Sequence, residues 1–173
     1  MQHIIICGER QVGKSTLVER LLKEINLPVY GVITKSMKQR EDGYHEIYMF
    51  RASDKERIPR DENFLADCNS IDRHVNKEIF ETLGVQYLSE AKDDGIIVMD
   101  ELGFMEADCE RFTSAVLNRF DGDIPVIATV KSTHPEVEFL NRVRSHPKAE
   151  LYMITKENRD ELYEQLLPIV RSL

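Results

Sequence analysis

Three things are scarce in this chain of 173 residues: cysteine, positive charge and long apolar runs. The three cysteines, Cys7, Cys68 and Cys109, are odd in number and too widely spaced for a metal knuckle or a redox pair. That leaves a reduced protein whose thiols are small core or surface groups. No stretch approaches the roughly 20 apolar residues that span a bilayer. The apolar run nearest the start, His3 to Cys7, is followed at once by Glu9 and Arg10, so it does not read as a signal peptide. A cytoplasmic protein with no membrane partner is expected. The formal charge is −8, from 23 Lys and Arg against 31 Asp and Glu. This balance argues against a nucleic-acid partner, because phosphate backbones need clustered Lys and Arg. It leaves room for a small phosphate ligand, which a helix N-terminus and one lysine can hold locally. Repeats, low-complexity tracts and linkers are lacking too, so residues 1–173 read as one domain.

What is present is an alternation of short apolar runs with amphipathic stretches, the pattern of an α/β domain around a mostly parallel sheet with helices on both faces. Ile4 to Cys7 reads as a buried strand, and Leu17, Leu21, Leu22 and Ile25 mark a helix over Lys14 to Ile25. Pro28 opens a strand from Val29 to Thr34. Glu41-Asp42-Gly43 signals a turn, and the alternation from Tyr44 to Arg51 predicts a β-hairpin flap within 35–62, followed by a charged loop over Ser53 to Glu62. A helix follows from Asn76 to Lys92, weakened at Gly84, and then a buried strand from Ile96 to Met99. Further expectations are a helix over Asp108 to Phe120, a strand over Val126 to Val130, a helix over Glu136 to Arg144, an extended Glu150 to Thr155 and a helix over Asn158 to Val170.

The segment Gly8-Glu9-Arg10-Gln11-Val12-Gly13-Lys14-Ser15-Thr16 matches G-x-x-x-x-G-K-[ST] without a mismatch, between a buried strand and an amphipathic helix. Phosphate oxygens need several donors converging within about 3 Å, which a loop supplies by turning its backbone N–H groups inward. Gly8 and Gly13 permit the turn and the close approach. Lys14 brings a point charge to the β- and γ-phosphates, Ser15 a hydroxyl for Mg²⁺, and Thr16 a donor for the α-phosphate.

Asp100, at the carboxyl end of the Ile96 to Met99 strand, is placed to hold Mg²⁺. Glu101 beside it is a candidate base for a water attacking the γ-phosphorus, a group that a kinase has less need of. Glu106 reads equally as a helix cap or as a carboxylate standing behind the site. An arginine on the developing charge is worth roughly 10³ to 10⁵ in rate. Arg10, Arg111, Arg119, Arg142 and Arg144 are candidates that spacing does not separate.

The glycine loop, the block Asp100-Glu101-Leu102-Gly103-Phe104-Met105-Glu106, the Ala128-Thr129-Val130 strand with His134-Pro135 after it, and Asn158-Arg159-Asp160 together resemble the small thermophile-type nucleoside triphosphatases. The resemblance covers roughly residues 1–34 and 64–170. It implies a RecA-like P-loop fold and slow hydrolysis of ATP, GTP and other triphosphates. By this likeness Gly8 to Thr16 hold phosphates, Asp100 holds Mg²⁺ and Glu101 holds the attacking water. Asn158 and Arg159 would approach the base, although a helix cap explains Asn158 equally well. The segment Thr34-Lys35-Ser36-Met37-Lys38 and the hairpin turn Asp42-Gly43-Tyr44 depart from the family's pattern. Three functions stay open: a stand-alone hydrolase, a nucleotide-dependent switch or adaptor, and a small-molecule or nucleotide kinase. The sequence names no protein partner.

Overall fold

Residues that are apolar on both sides of an extended backbone must be covered on both sides, and this dictates the architecture. In the computed structural model, which describes residues 3–173, β1 (His3–Gly8) is buried along its whole length. So is almost all of β6 (Ile96–Leu102) and β7 (Val126–Lys131). With β2 (Val29–Ser36), β3 (His45–Arg51), β4 (Phe64–Cys68), β5 (Arg73–Val75) and β8 (Ala149–Met153) they form one sheet of order β5-β4-β3-β2-β6-β7-β1-β8. The pairs from β2 through β8 are parallel. Those from β2 out to β5 are antiparallel.

Alternation along the strands sorts the core into two layers. Ile5, Val32, Ile97, Met99 and Ala128 face one side, against α3 (Val85–Ser89), α4 (Glu110–Asp121) and α5 (Glu138–Arg144). Ile4, Ile6, Ile33, Val98 and Ile127 face the other, against α1 (Lys14–Leu22) and α6 (Arg159–Arg171). At nine residues α1 is too short to be helical alone. Burial of Leu17 and Leu21, about 1.5–3 kcal/mol each, holds it on the sheet.

The expected helix over 76–92 runs as α2 (Lys77–Ile79), a π-helical stretch (Phe80–Gly84) and α3. The chain stays helical through Gly84, where a Cβ would lie 2.7 Å from the Phe112 ring, so this glycine lets the helix press against α4. The expected β-hairpin is β2–β3, but it is built into the sheet and continued by β4 and β5, two short strands that carry no alternating pattern in the sequence. Its tip turns at Gly43 (φ 83°) and is tied by Arg40 to Asp42, Glu46 and Asp67. No helix among the described residues is long and apolar enough to cross a membrane.

The tightest point in the sheet is Gly31 of β2. Its φ is 105°, and a Cβ there would sit 2.1 Å from the Val98 carbonyl oxygen of β6. Gly31→Ala is expected to destabilise the protein by about 3 kcal/mol or more, because backbone atoms rather than a flexible side chain would have to move. Urea denaturation of the variant beside the parent measures it.

Candidate active site

Parallel strands end at a common edge, and here β1, β6 and β7 deliver their next residues to one place. After β1 the chain closes on itself through two left-handed residues, Gln11 (φ 61°) and Gly13 (φ 108°), before α1 starts at Lys14. Gly8 has no room for a side chain, since a Cβ would lie 2.6 Å from the Ile154 carbonyl oxygen. Val12 is buried in the core below and pins the loop, while Glu9, Arg10 and Gln11 face outward. The buried Lys14 donates to the carbonyls of Gly8 (3.0 Å) and Glu9 (2.6 Å).

The end of β6 meets this loop. Asp100 is buried, and one of its oxygens accepts from Ser15 Oγ (3.1 Å) and Thr129 Oγ1 (2.5 Å). Burial pushes its carboxyl up from the ordinary range against those two hydroxyl donors. Thr34 of β2 bonds the same peptide, donating to the Asp100 carbonyl (3.4 Å) and accepting from the Glu101 N–H (3.3 Å). Neither threonine was named as a site residue by the sequence, although a hydroxyl inside the buried run Ile127-Ala128-Thr129-Val130 is a signal that it has a partner.

Glu101 stands between two ammonium groups, with Lys14 Nζ 2.9 Å from Oε2 and Lys131 Nζ 3.4 Å from Oε1. Glu106 is buried behind it and accepts from the Gly103 N–H (2.6 Å), so it braces the Gly103 to Met105 turn. Desolvation pushes its carboxyl up to about 7. Phe104 is ringed by Arg73 (4.5 Å from ring centroid to Cζ), Lys131 (5.5 Å to Nζ) and the His134 ring (4.3 Å).

Lys14, Ser15, Thr34, Glu101, Phe104, Glu106 and Lys131 line one cleft of about 630 Å³, as do Arg10, Thr16, Arg73 and Arg159. Arg159 also borders a smaller recess of about 290 Å³ with Thr16, Arg20 and Asp160. Asn158 does not join them. Its side chain accepts from the Thr155 N–H (2.8 Å) and donates to the Met153 carbonyl (2.9 Å), and it makes no cap bond to α6. Of the candidate arginines only Arg10 faces the cleft, and Arg144 is spent on the carbonyls of Lys131 and Thr133.

A family model described as NTPase matches residues 3–167. The chain belongs to this family. Among NTPase relatives, the nucleoside-triphosphatase THEP1 of Methanocaldococcus jannaschii is 32% identical over 95% of this chain and 94% of its own length. That of Aquifex aeolicus is 29% identical over 96% and 98%. The crystal structure of the Aquifex aeolicus THEP1 superposes with a TM-score of 0.73 at 28% identity, covering 97% of this chain and 98% of that one. The solution structure of a human cancer-related nucleoside triphosphatase gives 0.71 at 22% identity over 99% and 98%, and shares the fold. The NTPase fold, mostly parallel with helices on both faces, is therefore the one expected from the sequence.

Two measurements test the supporting residues. Asn158→Ala is expected to cost about 1–2 kcal/mol in urea denaturation, the loss of two side-chain bonds, with nucleotide affinity unchanged. Glu106 is raised above its ordinary 4.5 to about 7, so its contribution to stability is fully present below 4.5 and is lost as pH rises through about 7. The stability of Glu106→Gln should therefore improve relative to the parent between about pH 5 and pH 8, measured by denaturation at each pH.

Proposed function

We propose that the protein hydrolyses nucleoside 5′-triphosphates, ATP and GTP among them, to the diphosphate and phosphate, slowly and with broad tolerance of the base. The names of the relatives support hydrolysis, and one observation of this chain carries it: Glu101 follows Asp100 directly and points its carboxylate into the cleft beside Lys14. The β- and γ-phosphates lie along Gly8 to Thr16, with backbone N–H groups and the Lys14 ammonium as donors. The α-phosphate lies at Thr16 and the base toward Arg159, Arg20 and Asp160, where Arg20 and Asp160 are paired with each other at 2.9 Å, which supports weak discrimination between bases.

A divalent cation fits this site. Asp100 is a buried carboxylate whose two resolved partners are neutral hydroxyls, so a cation would compensate its charge. Ser15 and Asp100 are hard oxygen donors of the kind Mg²⁺ takes. No group of three or more His, Cys, Asp or Glu among the described residues could enclose a metal alone, so Ser15 and Asp100 would hold Mg²⁺ together with phosphate oxygens and water, as Mg²⁺ prefers. When bound, Mg²⁺ neutralises charge on the phosphates. The chain does the rest. Glu101 accepts a proton from water as its oxygen bonds to the γ-phosphorus and the bond to the β–γ bridging oxygen breaks. Thr34 and Thr129 fix the peptide and carboxylate that position it.

The protein works as one cytoplasmic unit on this reading. The cleft runs on to Ser70 and Arg73, which favours transfer to a bound small-molecule acceptor as the second reading. Phosphate release from ATP, GTP, CTP and UTP by the protein alone separates the two. Glu101→Gln should cut turnover by about 10²-fold or more with Mg²⁺ present while nucleotide binding survives. Unchanged turnover in that variant removes Glu101 from the reaction, and phosphate release only on addition of an acceptor establishes the kinase.

A further inference from the structure

Hydrolysis of a triphosphate moves negative charge onto the transferring phosphoryl group and the leaving oxygen, and a fixed cation there is commonly an arginine. In this chain Arg111, Arg119 and Arg142 lie outside the cleft and Arg144 is bound to backbone carbonyls, while Arg10, Arg73 and Arg159, which line the cleft, make no ion pair with Glu101 among the described residues. The cation beside Glu101 is a lysine. We propose that Lys131, the last residue of β7, is a catalytic residue that supplies this charge from within the same chain, contacting the terminal phosphate of the nucleoside triphosphate. The assignment rests on the hydrolytic reading above.

The register of the sheet places Lys131 level with Gly8, the first glycine of the loop. Its ammonium lies 3.4 Å from Glu101 Oε1, while Lys14 takes the other oxygen at 2.9 Å. A phosphoryl group beside Lys14 and a water on Glu101 would thus have Lys131 within reach of both. The root of the side chain is fixed, because Arg144 donates to the Lys131 carbonyl from Nε (3.2 Å) and Nη2 (2.5 Å). On its other flank Lys131 meets the Phe104 ring, which attracts a cation without cancelling its charge as a carboxylate would. Arg73 sits over the same ring with no carboxylate partner among the described residues, so the far side of the cleft is cationic as well. In the step itself Glu101 takes a proton from water as the water oxygen bonds to the γ-phosphorus, the phosphorus–oxygen bond to the diphosphate breaks with its electron pair leaving on the diphosphate, and the Lys131 ammonium holds the charge without gaining or losing a proton.

The test uses the whole chain with Lys131→Ala, Lys131→Gln and Lys131→Arg, alone and with Glu101→Gln. Nucleotide affinity and circular dichroism serve as controls for the fold. Steady-state phosphate release should show kcat lowered about 10²-fold in the Ala and Gln variants, with KM little changed, and largely restored by Arg. Lys131→Ala added to Glu101→Gln should slow release further, and capture of Mg·ADP with aluminium fluoride should fail in the Ala variant while ADP still binds. Turnover per chain should not change on dilution. Full kcat in Lys131→Gln, a double variant no slower than Glu101→Gln, or turnover that falls on dilution would each overturn the assignment, the second by reducing Lys131 to a support for Glu101. A parent chain that releases no phosphate overturns hydrolysis itself, a result distinct from loss of the Lys131 role alone.

Discussion

The site depends on one buried carboxylate. Asp100 lies where an ion is costly, at the end of a strand buried on both faces, and it is tolerable there only because hydroxyls reach it from neighbouring elements. Ser15 comes from the first turn of α1 and Thr129 from β7, while Thr34 of β2 holds the peptide that follows. The glycine loop, the two strands flanking β6 and the residue after Asp100 are therefore fixed relative to one another by bonds to a single residue and its peptide. A shift of any of these elements would leave a buried polar group unsatisfied, at about 1–3 kcal/mol, which makes the constellation cooperative with the fold.

Much of this was legible in the sequence where the relevant signal is contiguous. Gly8 to Thr16 and Ile96 to Glu101 each contain strand, turn and functional group in one stretch, so order and spacing reveal both loop and carboxylate. The groups that could not be read are those whose roles depend on sheet order. Thr34, Thr129 and Lys131 are unremarkable until β2, β6, β7 and β1 are known to lie side by side. The strands β4 and β5 escaped for a different reason. At five and three residues, in a stretch with no alternation, they form because β3 offers β4 an edge and β4 in turn offers one to β5, rather than because their own residues prefer extension.

Segment 35–62 shows how that edge is used. The hairpin continues the sheet, and its tip is fastened to β4 by Arg40 through Asp67, with Asp42 and Glu46 bound to the same guanidinium. These ion pairs are solvent-exposed, and each alone contributes little to stability. Held together on one planar group they fix the tip's direction more than its stability. His45 and Ile47 of β3 and Arg73 of β5 line the cleft.

Charge completes the picture. A chain of net −8 repels nucleotides at long range, and attraction must be local. The cleft collects Arg10, Lys14, Arg73, Lys131 and Arg159 around two carboxylates, Glu101 and Glu106. Burial raises the Glu106 carboxyl to about 7, so near neutrality it is ionised only in part and cancels only part of that positive charge. Glu101 is then the principal anion facing five cations. The same carboxylate that would take the proton from water also keeps Lys14 and Lys131 apart and oriented. A negative protein can thus present a positive site without spreading basic residues over its surface, and the position of one glutamate decides how that charge is arranged.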